Sequence, residues 1–295
     1  MQDETSLENL TVSGDDYDTA REMHGLVTRI PDVVRAGDRA ARMTPMKYSP
    51  LAADDRLTDV SPTSHYLSLL FQHAADFLRA IEKLCDPHEE SLSIPLVALN
   101  PLMRGVLEDS AIALWLLQPD DPKERTRRML VIRDDELGHE VRSVKDFVER
   151  SRGNGKHLKG TLDKLLSDSA SMRKRTRAEL RKMAAAVGLD DADYVDRFPA
   201  WVTLIDEAKV GTRWENSAVL TAVWSTLSGM SHFSRSKAMS MFDHEVFGEP
   251  RADGVRHARV TANLGTTVHY LVNTIALYSA AAERVHDRKL AAREV

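Results

Sequence analysis

Proline placement constrains this chain more than any other feature, because a proline inside a helix removes a hydrogen bond and clashes with the preceding turn. Eleven prolines stand at 31, 45, 50, 62, 87, 95, 101, 119, 122, 199 and 250, and the stretches 123–198, 200–249 and 251–295 contain none. Within those stretches apolar residues recur every three or four positions, and β-branched residues do not gather into strand-length runs. The pattern predicts an all-α fold, an orthogonal or up-down bundle of about eight helices with a charged helical hairpin projecting from it.

Helix starts and stops follow from local chemistry. Ser61-Pro62 and Thr63 precede a helix over 64–85, which Asp86-Pro87 ends. Asn100-Pro101, a capping residue with proline at the first helical position, opens a helix over 101–118, and Gln118-Pro119 stops it. Asp121-Pro122 opens a long charged helix to about Arg152, Gly153-Asn154-Gly155 turns the chain, and a second charged helix runs over about 160–187, so 121–187 reads as an antiparallel hairpin. Further helices are expected from Pro199 to about Val210, over 214–233, in a shorter piece reaching Phe247, and over 255–292. Residues 1–60 read as a mobile or irregular segment ahead of a single helical domain over 61–295.

With 42% hydrophobic and 29% charged residues in 295, the chain can bury a sizeable core, which excludes a disordered or fibrous protein. One cysteine, Cys85, excludes a disulfide framework, a cysteine zinc site and an iron–sulfur cluster held by this chain alone. The first fourteen residues carry acids, no base and no apolar run, which predicts neither a secretory signal nor a transit peptide, and hence a cytoplasmic protein. The most apolar run, 106–117, contains Glu108 and Asp109 and is shorter than the roughly 20 residues a membrane span needs. No membrane partner is expected.

A net charge of −5 conceals strong segregation. Residues 1–20 hold six acids and no base, whereas 142–182 hold thirteen Lys and Arg against five Asp and Glu. Arg173, Lys174, Arg175, Arg177, Arg181 and Lys182 are the densest part, and a basic hairpin of this kind can follow a phosphate backbone, which makes RNA a candidate partner. A solvated two-helix protrusion is the alternative, and another protein or a second copy of the chain is the other candidate partner.

A second group of candidates lies where apolar residues belong. Arg104 and Glu108 share a face of the apolar helix 101–118, and a buried charge must be paired. On the helix 214–233, Ser217, Thr221, Ser225, Ser228 and His232 form one small polar stripe. Arg104, Glu108, Ser228 and His232 are therefore the candidate catalytic residues, with Glu108 and His232 as acid and base. The competing reading is a salt bridge that fixes helix register beside a stripe of small residues that lets helices approach. His73 reads as a core histidine among Tyr66, Leu70, Phe77 and Leu84. Glu136-x-x-His139 and Glu283-x-x-His286 match the spacing of di-metal bundles, but His139 falls opposite the apolar stripe of its helix, so no metal and no cofactor are assigned.

Arg104-x-x-x-Glu108 running into Trp115-Leu116-Leu117, with Leu227-Ser228-x-x-x-His232 far downstream, resembles a family of uncharacterised bacterial helical proteins over about residues 60–235. It is also distantly similar to abortive-infection and HEPN-type proteins. That resemblance implies a regulatory or defence-type role, RNA-directed, although Ser228 stands where an arginine would activate a HEPN site. Arg133-x5-His139 and Arg251-x5-His257 also satisfy the HEPN spacing. A small-molecule enzyme with an apolar cavity in the bundle, acid–base or di-metal, and a purely structural interaction protein are the alternatives.

Overall fold

The helices expected over 64–85, 101–118, 121–152 and 160–187 form within two residues of those bounds, whereas those expected over 214–233 and 255–292 begin five and nine residues later, at Val219 and Leu264. The computed structural model describes residues 14–86, 94–151, 158–232, 234, 236–237, 242–249 and 256–290. Its elements in chain order are α1 (Gly14–Arg42), α2 (Pro50–Leu57), α3 (Thr63–Cys85), α4 (Leu99–Leu117), α5 (Pro122–Ser151), α6 (Lys159–Ala186), α7 (Asp191–Tyr194), α8 (Trp201–Ala208), α9 (Val219–Ser231), β1 (Phe242–Phe247), β2 (His257–Ala262) and α10 (Leu264–Lys289). The protein is predominantly helical, with ten helices among the described residues where about eight are expected.

Three expectations are corrected. The segment 1–60 is not irregular throughout, because α1 and α2 occupy most of its described part. In α1, Met23, Val27, Ile30 and Val34 recur at helical spacing on a buried face, and their burial outweighs the roughly 3 kcal/mol that Pro31 costs inside a helix. In α2, Ser49 Oγ accepts from the Ala52 amide and Pro50 takes the first helical position, a device that recurs at α5, where Asp121 Oδ1 accepts from the Lys123 amide ahead of Pro122; α4 instead begins at Leu99, one residue before the expected cap Asn100. Secondly, residues 242–247 and 257–262 form an antiparallel hairpin rather than helix, pairing Phe242 with Ala262 through to Phe247 with His257. Phe242, Val246, Phe247, Val260 and Thr261 favour strands, and Gly248 takes a left-handed φ of +74° just after β1. Thirdly, the chain divides into two compact units rather than one domain: residues 1–39, 71–110 and 216–282, and residues 40–70, 111–215 and 283–295. The Gly153-Asn154-Gly155 turn, Arg251 and residues 1–13 lie outside the described residues.

The first unit has its core on Phe71, Leu78 and Ile81 of α3, Met103, Val106 and Leu107 of α4, Leu220, Val223 and Leu227 of α9, and Leu271 and Tyr278 of α10, with the buried face of α1. Two glycines permit close approach here. A Cβ on Gly37 would stand 2.0 Å from the Tyr278 hydroxyl, and one on Gly105 would stand 2.2 Å from the Phe77 ring.

In the second unit the core gathers Leu114 to Leu117 of α4, Met129 to Ile132 of α5, Leu180 and Met183 of α6, and Leu204 and Ile205 of α8. Three polar devices lock it. Arg125 is 2% exposed and donates to both carboxylate oxygens of Asp54, at 2.7 and 2.8 Å, and to the carbonyls of Pro119 and Asp120. Lys289, also buried, donates from Nζ to the Ala40 and Ala41 carbonyls, at 2.9 and 2.6 Å, and so satisfies groups that the end of α1 leaves unpaired. The end of α6 closes in a Schellman motif: the Leu189 amide donates to the Ala184 carbonyl and Gly188, at φ +66°, donates to Ala185.

Candidate functional site

Two polar clusters and two clefts carry the functional residues. The first cluster lies in the first unit and is built on one turn of α4. Arg104 Nε donates to Glu108 Oε1 at 2.7 Å, and Arg104 Nη1 lies 3.2 Å from His232 Nε2, just past the end of α9. A guanidinium has only donors, so Nε2 accepts and His232 carries its proton on Nδ1. Arg104 and Glu108 are both about one-fifth exposed at the side chain, and His232 is exposed. Three of the four candidate catalytic residues thus converge. Ser228, one turn before His232 and half-buried, makes no side-chain hydrogen bond to the other three among the described residues.

Two members of this region escape a sequence reading. Trp224 Nε1 donates to the same Glu108 Oε1 at 2.8 Å. Its position two turns before His232 on α9 is a usable signal, since i, i+4 and i+8 share a helix face. The other is Asp109, whose Oδ2 lies 2.8 Å from His73 Nδ1. His73 is not a core histidine, because its side chain is 62% exposed; the apolar stripe of α3 runs instead through Leu67, Phe71, Ala74, Leu78 and Ile81. Its ring lies 4.3 Å from that of Phe77, the side chain that covers Gly105. Consecutive carboxylates on α4 are therefore each held by side chains from other positions: Glu108 by Arg104 and Trp224, which act only as hydrogen-bond donors, and Asp109 by the His73 ring, which can exchange a proton.

Burial pushes the Asp109 carboxyl up to about 7, with His73 pulling it down and Glu108 adding to the rise. The folded chain then keeps a proton on Asp109 between its ordinary value of 3.8 and about pH 7, where the unfolded chain has lost it. A native state that binds more protons loses stability as pH rises, so this group's contribution declines across that window. Asp109→Asn, which keeps a partner for His73, is expected to narrow the stability difference between pH 5 and pH 8 by about 2 kcal/mol, read from urea midpoints at the two pH values. An unchanged difference would show that Asp109 titrates as an exposed carboxylate does. Cys85, at the end of α3, is buried and its thiol is pushed up to about 11, which suits a core residue rather than a nucleophile.

The first cleft lies in the second unit, between α5 and α6. It is lined by Lys145 from α5 and Arg173, Lys174, Arg177 and Arg181 from α6, together with Val141, Leu166, Ser169 and Ala170, and has a volume of about 400 Å³. The spacing 173, 177, 181 puts three arginines on one helix face. Arg177 donates to Asp134 at 3.0 Å and has its Nε buried with no hydrogen-bond partner, and Arg181 pairs with Asp191 at 2.7 Å. Lys145, Arg173 and Lys174 have no ion-pair partner among the described residues. Four of the six candidate nucleic-acid residues are thus brought together. Arg175 and Lys182 are not among the groove's lining, and Lys182 pairs with Asp59 at 3.2 Å.

The second cleft, also in the second unit, encloses about 300 Å³ and is walled by Tyr66, Phe198 and Trp201, with Asp135, Glu136 and His139 of α5 at its polar side. Among the described residues no three His, Cys, Asp or Glu side chains are grouped to hold a metal ion, and no helix is long and apolar enough to cross a membrane. His139, half of one Glu-x-x-His pair, is exposed and lies 3.6 Å from Asp135. Comparison with protein-family models, with curated proteins and with solved structures finds no match to this chain.

Proposed function

We propose that this is a cytoplasmic regulatory or defence-type protein, a helical bundle that holds single-stranded RNA in the groove between α5 and α6. The observation that carries the reading is the groove itself, whose lining combines five cationic side chains with Val141, Leu166 and Ala170. Cations along a channel take successive phosphates, and apolar side chains accept the sugar and base faces that a single strand exposes. The segregation of thirteen basic residues into 142–182 supports the same partner.

Fluorescence anisotropy with a labelled RNA oligomer tests it. Arg173→Glu combined with Lys174→Glu is expected to weaken binding at least about tenfold at moderate salt, while Arg175→Glu, outside the groove's lining, changes it less than about threefold. Equal losses in the two variants would place the contact elsewhere on α6, and no loss in the first would overturn the reading.

The convergence of Arg104, Glu108 and His232 favours a second reading, an acid–base enzyme in which His232 and Glu108 exchange protons with substrate and Arg104 holds them in register. An activity that survives both Glu108→Gln and His232→Ala would exclude it and leave the cluster as a register-fixing pair.

A further inference from the structure

The second cleft has a composition that selects a particular charge. Three aromatic side chains wall it, Tyr66 from α3, Phe198 from the segment before α8, and Trp201 from the start of α8, with the Phe198 and Trp201 rings 6.0 Å apart and nearly perpendicular. Ring faces carry negative charge density and attract cations, most strongly when water is excluded. Asp135 and Glu136 add two carboxylates at the same opening. Both already have partners: Asp135 lies 3.6 Å from the His139 ring, and Glu136 pairs with Arg133. Their fields reach the cleft, but their lone pairs are partly taken, so a ligand that must donate several hydrogen bonds is poorly served. A cation that needs none is well served.

We propose that this cleft binds a small alkylated ammonium ion, a quaternary or trimethylammonium group seated against Tyr66, Phe198 and Trp201 with the Asp135 carboxylate as its counter-charge, Glu136 being already paired with Arg133. The cavity of about 300 Å³ is at the lower end for small-molecule sites and accommodates such a headgroup with a short substituent. All of its lining belongs to the second unit, and the proposal is independent of the RNA reading and of the Arg104 cluster.

The test uses the full chain and choline as probe, with 3,3-dimethyl-1-butanol as the neutral isostere of the same shape. In titrations followed by Trp fluorescence and calorimetry, choline is expected to bind at least about tenfold more tightly than the isostere, because only the cation gains from the rings and the Asp135 carboxylate. Trp201→Leu is expected to weaken choline about tenfold, and Asp135→Asn about threefold, with the isostere unaffected by the latter. Should Trp201→Leu fail to fold, the isostere comparison and Asp135→Asn still decide. Equal binding of choline and isostere would make this an apolar cleft without charge preference and overturn the proposal. So would an absence of choline binding at millimolar concentration to folded wild-type chain.

Discussion

Arg125→Met is expected to destabilise the protein by about 3–5 kcal/mol, the largest effect of any single substitution considered for this chain. The guanidinium is 2% exposed and fills four acceptors, both oxygens of Asp54 and the carbonyls of Pro119 and Asp120. Removing it leaves an equally buried carboxylate without its counter-ion and uncaps the turn between α4 and α5. The cost of the single variant is mainly that of the orphaned Asp54. Combining Asp54→Leu with Arg125→Met therefore recovers much of the loss, since two apolar groups need no partner. Urea denaturation of the two single variants and the double variant measures this. If the double variant is no better than the singles, the two residues act separately and the pair does not organise α2 against α5.

Gly105→Val carries the second large effect and reports on the α4 cluster. Even the first atom of a side chain there falls 2.2 Å from Cε2 of Phe77 and 2.6 Å from Cδ2, well inside any van der Waals contact. Phe77 must rotate away or the helices must separate, at a cost of about 1–3 kcal/mol, typical of overpacking. Because the Phe77 ring lies 4.3 Å from that of His73, its displacement also disturbs the His73–Asp109 pair. Thermal unfolding should show the destabilisation, and NMR of the His73 ring should show a shift that Gly160→Val, with open space around it, does not produce. A Gly105 variant of wild-type stability would mean that Phe77 moves freely and that the packing beneath His73 is loose.

The sequence made the helices around the site legible, because Ser61-Pro62, Asn100-Pro101 and Asp121-Pro122 each mark a start with groups whose chemistry is local. It was also enough to group Arg104 with Glu108, four residues apart on one helix. That His232 meets them from residues 128 positions away rests on tertiary packing, and only its place at the end of a polar stripe hinted at it. Asp109 and His73 were missed for a related reason. Apolar residues on nearly every side of α4 hid which neighbour is only half covered, and α3 turns His73 outward while Leu67, Phe71 and Leu78 point in. α1 was obscured by Pro31, a strong local signal overridden by a buried apolar face. The β1–β2 hairpin was hidden by the opposite circumstance: its strands are mostly exposed, so they show no alternation of buried and exposed residues to read.

The basic groove shows the limits of counting charge. Six basic residues in ten positions look equivalent in sequence, yet 173, 174, 177 and 181 share the groove while 175 is not part of its lining, and Asp134 and Asp191 already hold two of the arginines. The number of cations left to meet phosphate is therefore small, and this gives the central claim a numerical test. The most direct measurement is the affinity of the wild-type chain for a single-stranded RNA oligomer as a function of salt. Lys145, Arg173 and Lys174 together predict a linear fall of log affinity with log salt concentration, with a slope of about −2, the value for three phosphates on a single strand. A slope near zero, or no measurable binding at low salt, would contradict the account.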